Sequence, residues 1–279
     1  MNVTINFNSQ YYTEGGKFLC KLRIGKPADV AGRPRLQLNL AATETSVNEF
    51  PMMAGLVDSV ERILHCGATI ISTEHVITAA HCVKGRDLGK LGVIIGEHDT
   101  STAVETNATM LYRISKCTIH PEHADNKQND IAVCQIISSI TYNDQVGPDC
   151  LPFQNSRDSF HGSIVTALGW GRTSLGCAKL TKPYKVKLNV INRTDCKRAY
   201  PDITDGNMCT YTPRKDACQI DSGGPVIWEN PIMHNSVLVG IISSGVGCAT
   251  DKPAVYMRIG HYIDWILSVT PGRQGEKSQ

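Results

Sequence analysis

The sequence has no uncharged apolar run of the roughly 20 residues that a helix needs to cross a bilayer, which argues against membrane anchoring. It also lacks a charge excess: 28 Lys and Arg stand against 26 Asp and Glu, giving a net charge of +2, so a strongly basic nucleic-acid binder is not supported. No two cysteines form Cys-x2-Cys, the tight pair that structural zinc sites favour. The 279 residues, 41% hydrophobic and 19% charged, are typical of one large globular domain or two small ones.

Cysteine, by contrast, is abundant. The chain has 11 cysteines, far more than a reducing compartment requires. Several are spaced to close loops that suit disulfides, each worth about 3 kcal/mol, and disulfides indicate secretion. Sequons at Asn2, Asn107 and Asn192 also point to a secreted glycoprotein. The odd count leaves at least one thiol without an internal partner.

The chain divides by composition into a short N-terminal segment, a linker and a long strand-rich region. Residues 1–24 carry two short strands but no apolar leader, so we expect a removed leader or, since Met1 opens within a strand, an incomplete gene model. Residues 25–45 are aperiodic and are predicted to be a linker. From 46 to 270, short apolar strands alternate with turns, which predicts an all-β barrel or sandwich. A helix is predicted near 261–270, followed by a flexible tail at 271–279.

Three motifs in the strand-rich region carry residues suited to nucleophilic catalysis. Ser222 begins Ser-Gly-Gly-Pro, whose glycines permit a tight exposed turn, and a serine hydroxyl becomes a nucleophile only beside a base. His81 stands in Thr-Ala-Ala-His-Cys, where a disulfide from Cys82 to Cys66 would hold the imidazole. Asp130 precedes a strongly apolar strand, so its carboxylate is expected at the buried start of that strand. Singly, each is an ordinary loop serine, histidine or turn aspartate; together they follow the order His, Asp, Ser of one known triad.

With these three motifs in this order, residues 46–270 resemble a trypsin-like serine peptidase of the chymotrypsin fold. They are most similar to arthropod peptidases with an N-terminal CUB domain, such as the venom serine proteases of bees and ants. The segments that carry the resemblance are NEFPMMAGLV, CGATIIS, ITAAHC, NDIA, CLPF, GWG, CKRAYP, DACQ, DSGGP and PAVYMRI. The resemblance implies two six-stranded antiparallel β-barrels with a C-terminal helix, and makes residues 1–24 a truncated CUB remnant.

The resemblance also implies a mechanism. His81 would act as general base and then general acid, Asp130 would orient and stabilise its imidazole, and Ser222 would form an acyl-enzyme. The backbone N–H groups of Ser222 and Ile220 would hold the oxyanion. Ile220 stands where the family usually has Gly, which keeps the donor but crowds the leaving side of the substrate.

The same resemblance assigns the substrate-binding residues. Asp216 would form the floor of the specificity pocket and pair with Arg or Lys of the substrate. Ala254 stands where the pocket wall is normally Gly and would narrow the pocket. The edge that hydrogen-bonds the substrate backbone would comprise Ser243, Ser244 and Gly245. Ser244 replaces a Trp, so the adjoining subsite loses an apolar wall.

Activation departs from the family pattern. A cleaved N-terminus, typically Ile-Val-Gly-Gly, normally pairs with the Asp beside the nucleophile, here Asp221. The expected position, 38–42, reads Leu-Asn-Leu-Ala-Ala, and the nearest basic residues are Arg33 and Arg35. We therefore expect this zymogen-like chain to have very low peptidase activity. The alternative to an enzyme is a catalytically silent homologue that acts as a binding or regulatory module in a proteolytic cascade.

Family matching pairs Cys66 with Cys82, Cys196 with Cys209 and Cys218 with Cys248. Cys117–Cys134 is predicted separately, because the two residues fall on strands that would be antiparallel neighbours, where opposed Cβ atoms lie close together. The remaining Cys20, Cys150 and Cys177 can form at most one bond.

No cofactor and no metal are expected. Glu97 and Glu105 lie near the loop that binds calcium in some trypsins, but calcium needs six or more oxygens, so two solvated glutamates are the preferred interpretation. The implied partners are protein or peptide substrates and serpin-type or other peptidase inhibitors, with no nucleic acid and no membrane. We expect a monomer.

Overall fold

The structure, a computed structural model, describes residues 42–102, 106–124, 128–171, 180–212, 222–244 and 252–270, with only the backbone at 244. These ranges cover most of the predicted peptidase region. The predicted CUB remnant, most of the predicted linker and the tail lie outside the described residues, so those boundaries stay predictions.

The described chain begins with a short strand, β1 (Thr43–Glu44), and then builds a first barrel. Its strands are β2 (Met53–Asp58), β3 (Ile63–Ile70), β4 (His75–Thr78), β5 (Leu91–Ile95), β6 (Met110–Ile119) and β7 (Ala132–Ile136). They are antiparallel and close in the order β2-β3-β4-β7-β6-β5.

A second antiparallel barrel follows. Its strands are β8 (Ile164–Gly169), β9 (Tyr184–Ile191), β10 (Asn207–Thr210), β11 (Pro225–Glu229), β12 (Ser236–Ser244) and β13 (Ala254–Arg258). They run in the order β9-β10-β13-β12-β11-β8, and pairing of β8 with β9 closes the ring. The strand β1 adds to β9, so residues 43–44, assigned to the linker from sequence, belong to this sheet. The predicted pair of six-stranded barrels is confirmed.

Two short helices complete the fold. The helix α2 (Ile263–Val269) follows a 3₁₀ turn and matches the helix predicted near 261–270. The helix α1 (Arg193–Ala199) was not predicted, although its sequence carries a cap: Asn192 Oδ1 accepts a hydrogen bond from the Asp195 N–H at 2.7 Å. Within the described ranges, no helix has the length and apolar character needed to cross a membrane.

Side-chain alternation explains how the strands form a core. In β9, Val186, Leu188 and Val190 are buried while the residues between them face solvent, the period of two expected for a strand with one covered face. The core of the first barrel is continuous with side chains of the second, including Leu168 and Ile241, and with α2. The barrels therefore pack directly on each other, and a seam lies between them.

Three of the four predicted disulfides are present: Cys66–Cys82, Cys117–Cys134 and Cys196–Cys209. Cys117 lies directly opposite Cys134 on β6 and β7, with 4.0 Å between their Cα atoms. Cys150 also takes part in a disulfide, whose partner lies outside the described residues. The predicted Cys218–Cys248 bridge lies outside them as well.

Candidate functional site

His81 lies at the seam, in the 3₁₀ turn Ala80–Cys82 that follows β4. Ala79 and Ala80 are fully buried, so their small side chains let the turn sit tightly against the barrel. The Cys66–Cys82 disulfide ties the turn to β3, with 6.1 Å between the Cα atoms. The imidazole side chain remains 35% exposed. It is thus fixed at its base and open to an incoming molecule.

Strand pairing brings Asp130 to His81. Thr78 at the end of β4 pairs with Ala132 at the start of β7, so the segments just beyond these residues emerge at the same rim of the barrel. The Asp130 side chain is fully buried there, as expected for the start of an apolar strand.

The Asp130 carboxylate accepts hydrogen bonds from two residues. The His81 Nδ1–H donates to Oδ2 at 2.7 Å, the His81 backbone N–H to Oδ1 at 2.9 Å, and the Ser243 hydroxyl to Oδ2 at 2.6 Å. Burial alone would raise the pKa of Asp130, but the bonds and charge of His81, together with Ser243, outweigh burial and lower that pKa below its ordinary 3.8. An ionised carboxylate can only accept hydrogen bonds, so the proton of the neutral His81 ring sits on Nδ1. The other ring nitrogen, Nε2, can therefore accept a proton.

The role of the Ser243 hydroxyl was missed by sequence reasoning, which placed Ser243 on the substrate-binding edge. In the structure Ser243 lies in β12 at a register shift between Ile242 and Ser244. Its side chain is buried and directed at Asp130, across 113 positions of sequence. No local pattern in the sequence signals a contact between such distant segments.

Ser222 begins the turn that leads into β11. Gly223 has a φ of 86°, and a Cβ at this position would collide with Thr78 Oγ1 and the Gly67 carbonyl oxygen, so only glycine fits. The Gly67 N–H donates to the Ser222 carbonyl at 2.8 Å, and the Gly223 N–H donates to the Ile242 carbonyl at 2.7 Å. The turn is therefore held between β3 of the first barrel and β12 of the second.

This arrangement makes Ser222 and His81 neighbours. The Cys82 Sγ atom lies 3.7 Å from His81 Nε2 and 3.5 Å from the Ser222 carbonyl oxygen. Among the described residues, no hydrogen bond joins Ser222 Oγ to His81 Nε2. The three motifs found in the sequence thus converge at one place on the seam.

Other predicted site residues fall outside the described ranges: Asp216, Ile220, Asp221 and Gly245. Ser244, known by its backbone, pairs with Val255. Ala254 opens β13, half-buried against the core of the second barrel. The assignments of the pocket floor, the oxyanion donors and the activation ion pair therefore stay predictions.

One cluster has the spacing of a metal site. Donor atoms of Cys66, His81 and Cys82 lie within 4.8 Å of one another. The two sulfurs are bonded to each other and are not thiolate ligands, so the cluster is structural. Of the two glutamates considered for calcium, Glu97 accepts a hydrogen bond from the His98 N–H at 3.0 Å, and Glu105 lies outside the described residues.

Comparison with known proteins agrees with this geometry. The family model described as Trypsin matches residues 41–266. The chain belongs to the trypsin family. It is 43% identical over 286 residues to venom serine protease 34 of Apis mellifera, an alignment that covers 97% of this chain and 70% of that protein. It is 39% identical over 234 residues to a venom serine protease of Polistes dominula, covering 82% and 84%, and 32% identical over 238 residues to trypsin-1 of Astacus astacus, covering 81% and 98%.

Membership of the trypsin family confirms the resemblance inferred from the sequence. The protein is a serine endopeptidase, and its substrates are proteins or peptides.

Proposed function

We propose that this trypsin-family protein is a secreted endopeptidase that cleaves after Arg or Lys, with Ser222, His81 and Asp130 as its catalytic triad. The proposal is carried by the buried Asp130 carboxylate, whose Oδ2 lies 2.7 Å from His81 Nδ1, next to the serine turn at Gly223. This is the arrangement that activates a serine hydroxyl.

In the proposed reaction, His81 Nε2 takes the proton of Ser222 Oγ as that oxygen attacks the scissile carbonyl carbon. Asp130 keeps Nδ1 protonated and stabilises the imidazolium that forms. The imidazolium then gives its Nε2 proton to the leaving amine, and an acyl-enzyme remains on Ser222. A water molecule, deprotonated by His81 Nε2, attacks the acyl carbon. The ester bond to Ser222 Oγ breaks, the imidazolium returns its proton to Oγ, and the acid product leaves.

The remaining roles are proposed from the family motifs. The backbone N–H groups of Ile220 and Ser222 would bind the developing oxyanion. Asp216 would pair with the Arg or Lys side chain of the substrate, and Ala254 would narrow the pocket. The edge at 243–245 would bind the substrate backbone as an added strand.

Secretion is supported by the cysteines. The described disulfides Cys66–Cys82, Cys117–Cys134 and Cys196–Cys209, together with the bonded Cys150, are stable in an oxidising compartment. Similarity to two venom serine proteases supports an extracellular, venom-type role. A serpin or another inhibitor that presents a substrate-like loop would bind the same cleft of a monomeric enzyme.

The proposal is tested with matched peptide amides that carry Arg, Lys, Leu or Glu before the scissile bond. We expect cleavage after Arg and Lys, slowly because residues 38–42 carry no Ile-Val-Gly-Gly, and none by Ser222→Ala. Asp216→Ser is expected to lower kcat/KM for the Arg amide by about 10³-fold. The kcat/KM for the Leu amide should stay nearly unchanged.

Several results would contradict the proposal. Hydrolysis that persists in Ser222→Ala would remove the nucleophile assignment, and faster cleavage after Leu than after Arg would remove the specificity. Rates equal to those of an activated trypsin would contradict the expected low activity. A wild-type chain that hydrolyses none of the amides would support the silent homologue instead.

A further inference from the structure

Two sequons lie in the described part of the chain, and their environments differ. Asn107 is exposed on the turn between β5 and β6, and among the described residues its side-chain amide makes no hydrogen bond. Asn192 is half-buried at the start of α1. Its Nδ2 donates to Asp195 Oδ2 at 2.6 Å while its Oδ1 accepts from the Asp195 N–H at 2.7 Å.

We propose that Asn107 carries an N-linked glycan and that Asn192 does not. The inference rests on the secretion proposed above. In the modification, Nδ2 attacks the anomeric carbon of a lipid-linked oligosaccharyl pyrophosphate: a C–N bond forms, the C–O bond to pyrophosphate breaks, and the Nδ2 proton passes to a base of the transferase. At Asn107 the amide is exposed, and none of the described residues hydrogen-bonds it. At Asn192 the sugar would displace the Asp195 carboxylate and uncap a helix that carries the Cys196–Cys209 disulfide.

The test is glycopeptide mapping of the full chain, expressed in insect cells behind an added secretion signal so that entry into the pathway is assured. We expect glycan at Asn107, lost in Asn107→Gln and Thr109→Ala, and an unchanged glycan in Asn192→Gln. A glycan at Asn192, or none at Asn107, overturns the proposal. If the cells do not release the protein, the same glycopeptide mapping is done on the protein isolated from inside the cells. Failure of the native chain to leave its own cells would count against secretion alone.

An independent feature lies directly before Asp130. Asn129 has a φ of 48°, in the left-handed region that Asn tolerates better than most residues. Its side chain is held at both ends: the Tyr262 hydroxyl donates to Oδ1 at 2.9 Å, and Nδ2 donates to the Glu122 carbonyl at 3.0 Å. Its own carbonyl accepts from the Ile131 N–H at 2.8 Å. The backbone on both sides of Asp130 is therefore fixed.

Tyr262 is itself firmly placed. It is buried in the turn between β13 and α2, and Gly206 approaches so closely that a Cβ there would collide with the hydroxyl. The rings of His120 and His261 contact the Tyr262 ring edge-on, with centroids 5.3 and 4.9 Å away. Burial raises the pKa of Tyr262, so the hydroxyl stays protonated and remains a donor.

We propose that Tyr262 and Asn129 are positioning residues for Asp130. Tyr262 holds the Asn129 amide, and Asn129 sets the backbone from which the carboxylate reaches His81. The contact joins segments 133 positions apart, so it ties the turn after the second barrel to the loop that carries the proposed triad carboxylate. This inference rests on the proposed function and names a further support of the same site.

The kinetic test is Tyr262→Phe, which removes the hydroxyl and keeps the ring. We expect kcat for the Arg amide to fall about tenfold, with KM changed less than about twofold. Tyr142→Phe is the matched control, because the half-buried Tyr142 hydroxyl makes no hydrogen bond among the described residues. Asn129→Ala is expected to lose more activity than Asn129→Gly, since glycine adopts the left-handed backbone without strain and alanine does not.

A second readout is independent of activity. The His81 backbone N–H bonds to Asp130 Oδ1 at 2.9 Å, so its hydrogen exchange reports the position of the carboxylate. In Tyr262→Phe we expect about tenfold faster exchange at His81, with the Gly67 N–H, 2.8 Å from the Ser222 carbonyl, unchanged. Unchanged exchange at His81, or an equal rise at Gly67, overturns the proposal. A wild-type chain without hydrolysis would count against the triad and not against this contact.

Discussion

The two barrels hold their parts of the site in different ways. In the first barrel, His81 and Asp130 follow and precede paired strands, and the Cys66–Cys82 and Cys117–Cys134 bridges reinforce that unit. In the second barrel, the Ser222 turn and Ser243 are held by β12, and one hydrogen bond at each of them crosses the seam to the first barrel. The proposed acid–base pair is thus built into one barrel, whereas alignment of the proposed nucleophile depends on how the barrels dock.

This difference separates three kinds of change. Loss of the first-barrel pair should abolish the chemistry. Loss of a seam contact should lower the rate by a smaller factor. Loss of a bridge away from the seam should cost stability and leave the rate unchanged.

The largest effect is expected for Asp130→Asn. The amide keeps the shape of the side chain but no longer requires the proton on His81 Nδ1, so kcat should fall by about 10⁴-fold. Steady-state hydrolysis of the Arg amide, compared with Asp264→Asn on the surface of α2, measures this loss. A loss below about tenfold would show that the first-barrel pair does not drive the reaction.

The same carboxylate should appear in the pH dependence of stability. The pKa of Asp130 is lower in the folded chain than its ordinary 3.8, so the stability it adds is present above that pH and is lost as pH falls through the folded value. Urea unfolding from about pH 2 to about pH 6 should therefore show a shallower acid slope for Asp130→Asn than for the wild type. Identical slopes would contradict the lowered pKa.

The second-largest effect on rate is expected for Gly223→Ala, which disturbs the contact between the two barrels. The added Cβ collides with Thr78 Oγ1 and the Gly67 carbonyl and strains a φ of 86°. We expect about 100-fold lower kcat/KM and about 2–4 kcal/mol lower stability. Gly162→Ala provides the control, because it has a positive φ of 79° but nothing within 4 Å of a new Cβ. Equal losses in both variants would assign the effect to φ strain and not to the seam.

A smaller effect is expected for Ser243→Ala. It removes one hydrogen bond of 2.6 Å to Asp130 and leaves both His81 bonds. A bond to a charged group is worth about 1.5–3 kcal/mol, and part of this should appear as about a tenfold fall in kcat. Ser268→Ala, which removes a hydroxyl bonded to the Trp265 carbonyl on α2, should leave kcat unchanged. Equal kcat values for the two variants would show that the seam bond has no role in the rate.

The smallest effect on rate is expected for the double variant Cys117→Ala and Cys134→Ala. The bridge joins neighbouring strands on the first barrel, so its removal should lower the free energy of unfolding by about 3 kcal/mol. At a temperature where the variant stays folded, kcat/KM should match the wild type. A loss of rate comparable to that of Ser243→Ala would show that the bridge also supports the site.

Sequence alone predicted the parts of the site that are local. His81, Asp130 and Ser222 each stand in a short motif, and the opposition of Cys117 and Cys134 follows from neighbouring antiparallel strands. The bonds from Ser243 to Asp130 and from Tyr262 to Asn129 join positions 113 and 133 residues apart. They depend on how the barrels and the C-terminal turn pack together, which no local pattern encodes. The helix α1 is short and polar, and only its Asn192 cap marks it in the sequence.

The central claim, that the His81–Asp130 pair activates Ser222, is tested most directly by covalent labelling. The chain is treated with a phosphonofluoridate, and the modified residue and rate of modification are read by mass spectrometry for the wild type and Asp130→Asn. We predict a single adduct on Ser222, formed slowly in the wild type and more slowly by orders of magnitude in the variant. Modification of another residue, or equal rates in the two proteins, would contradict the claim.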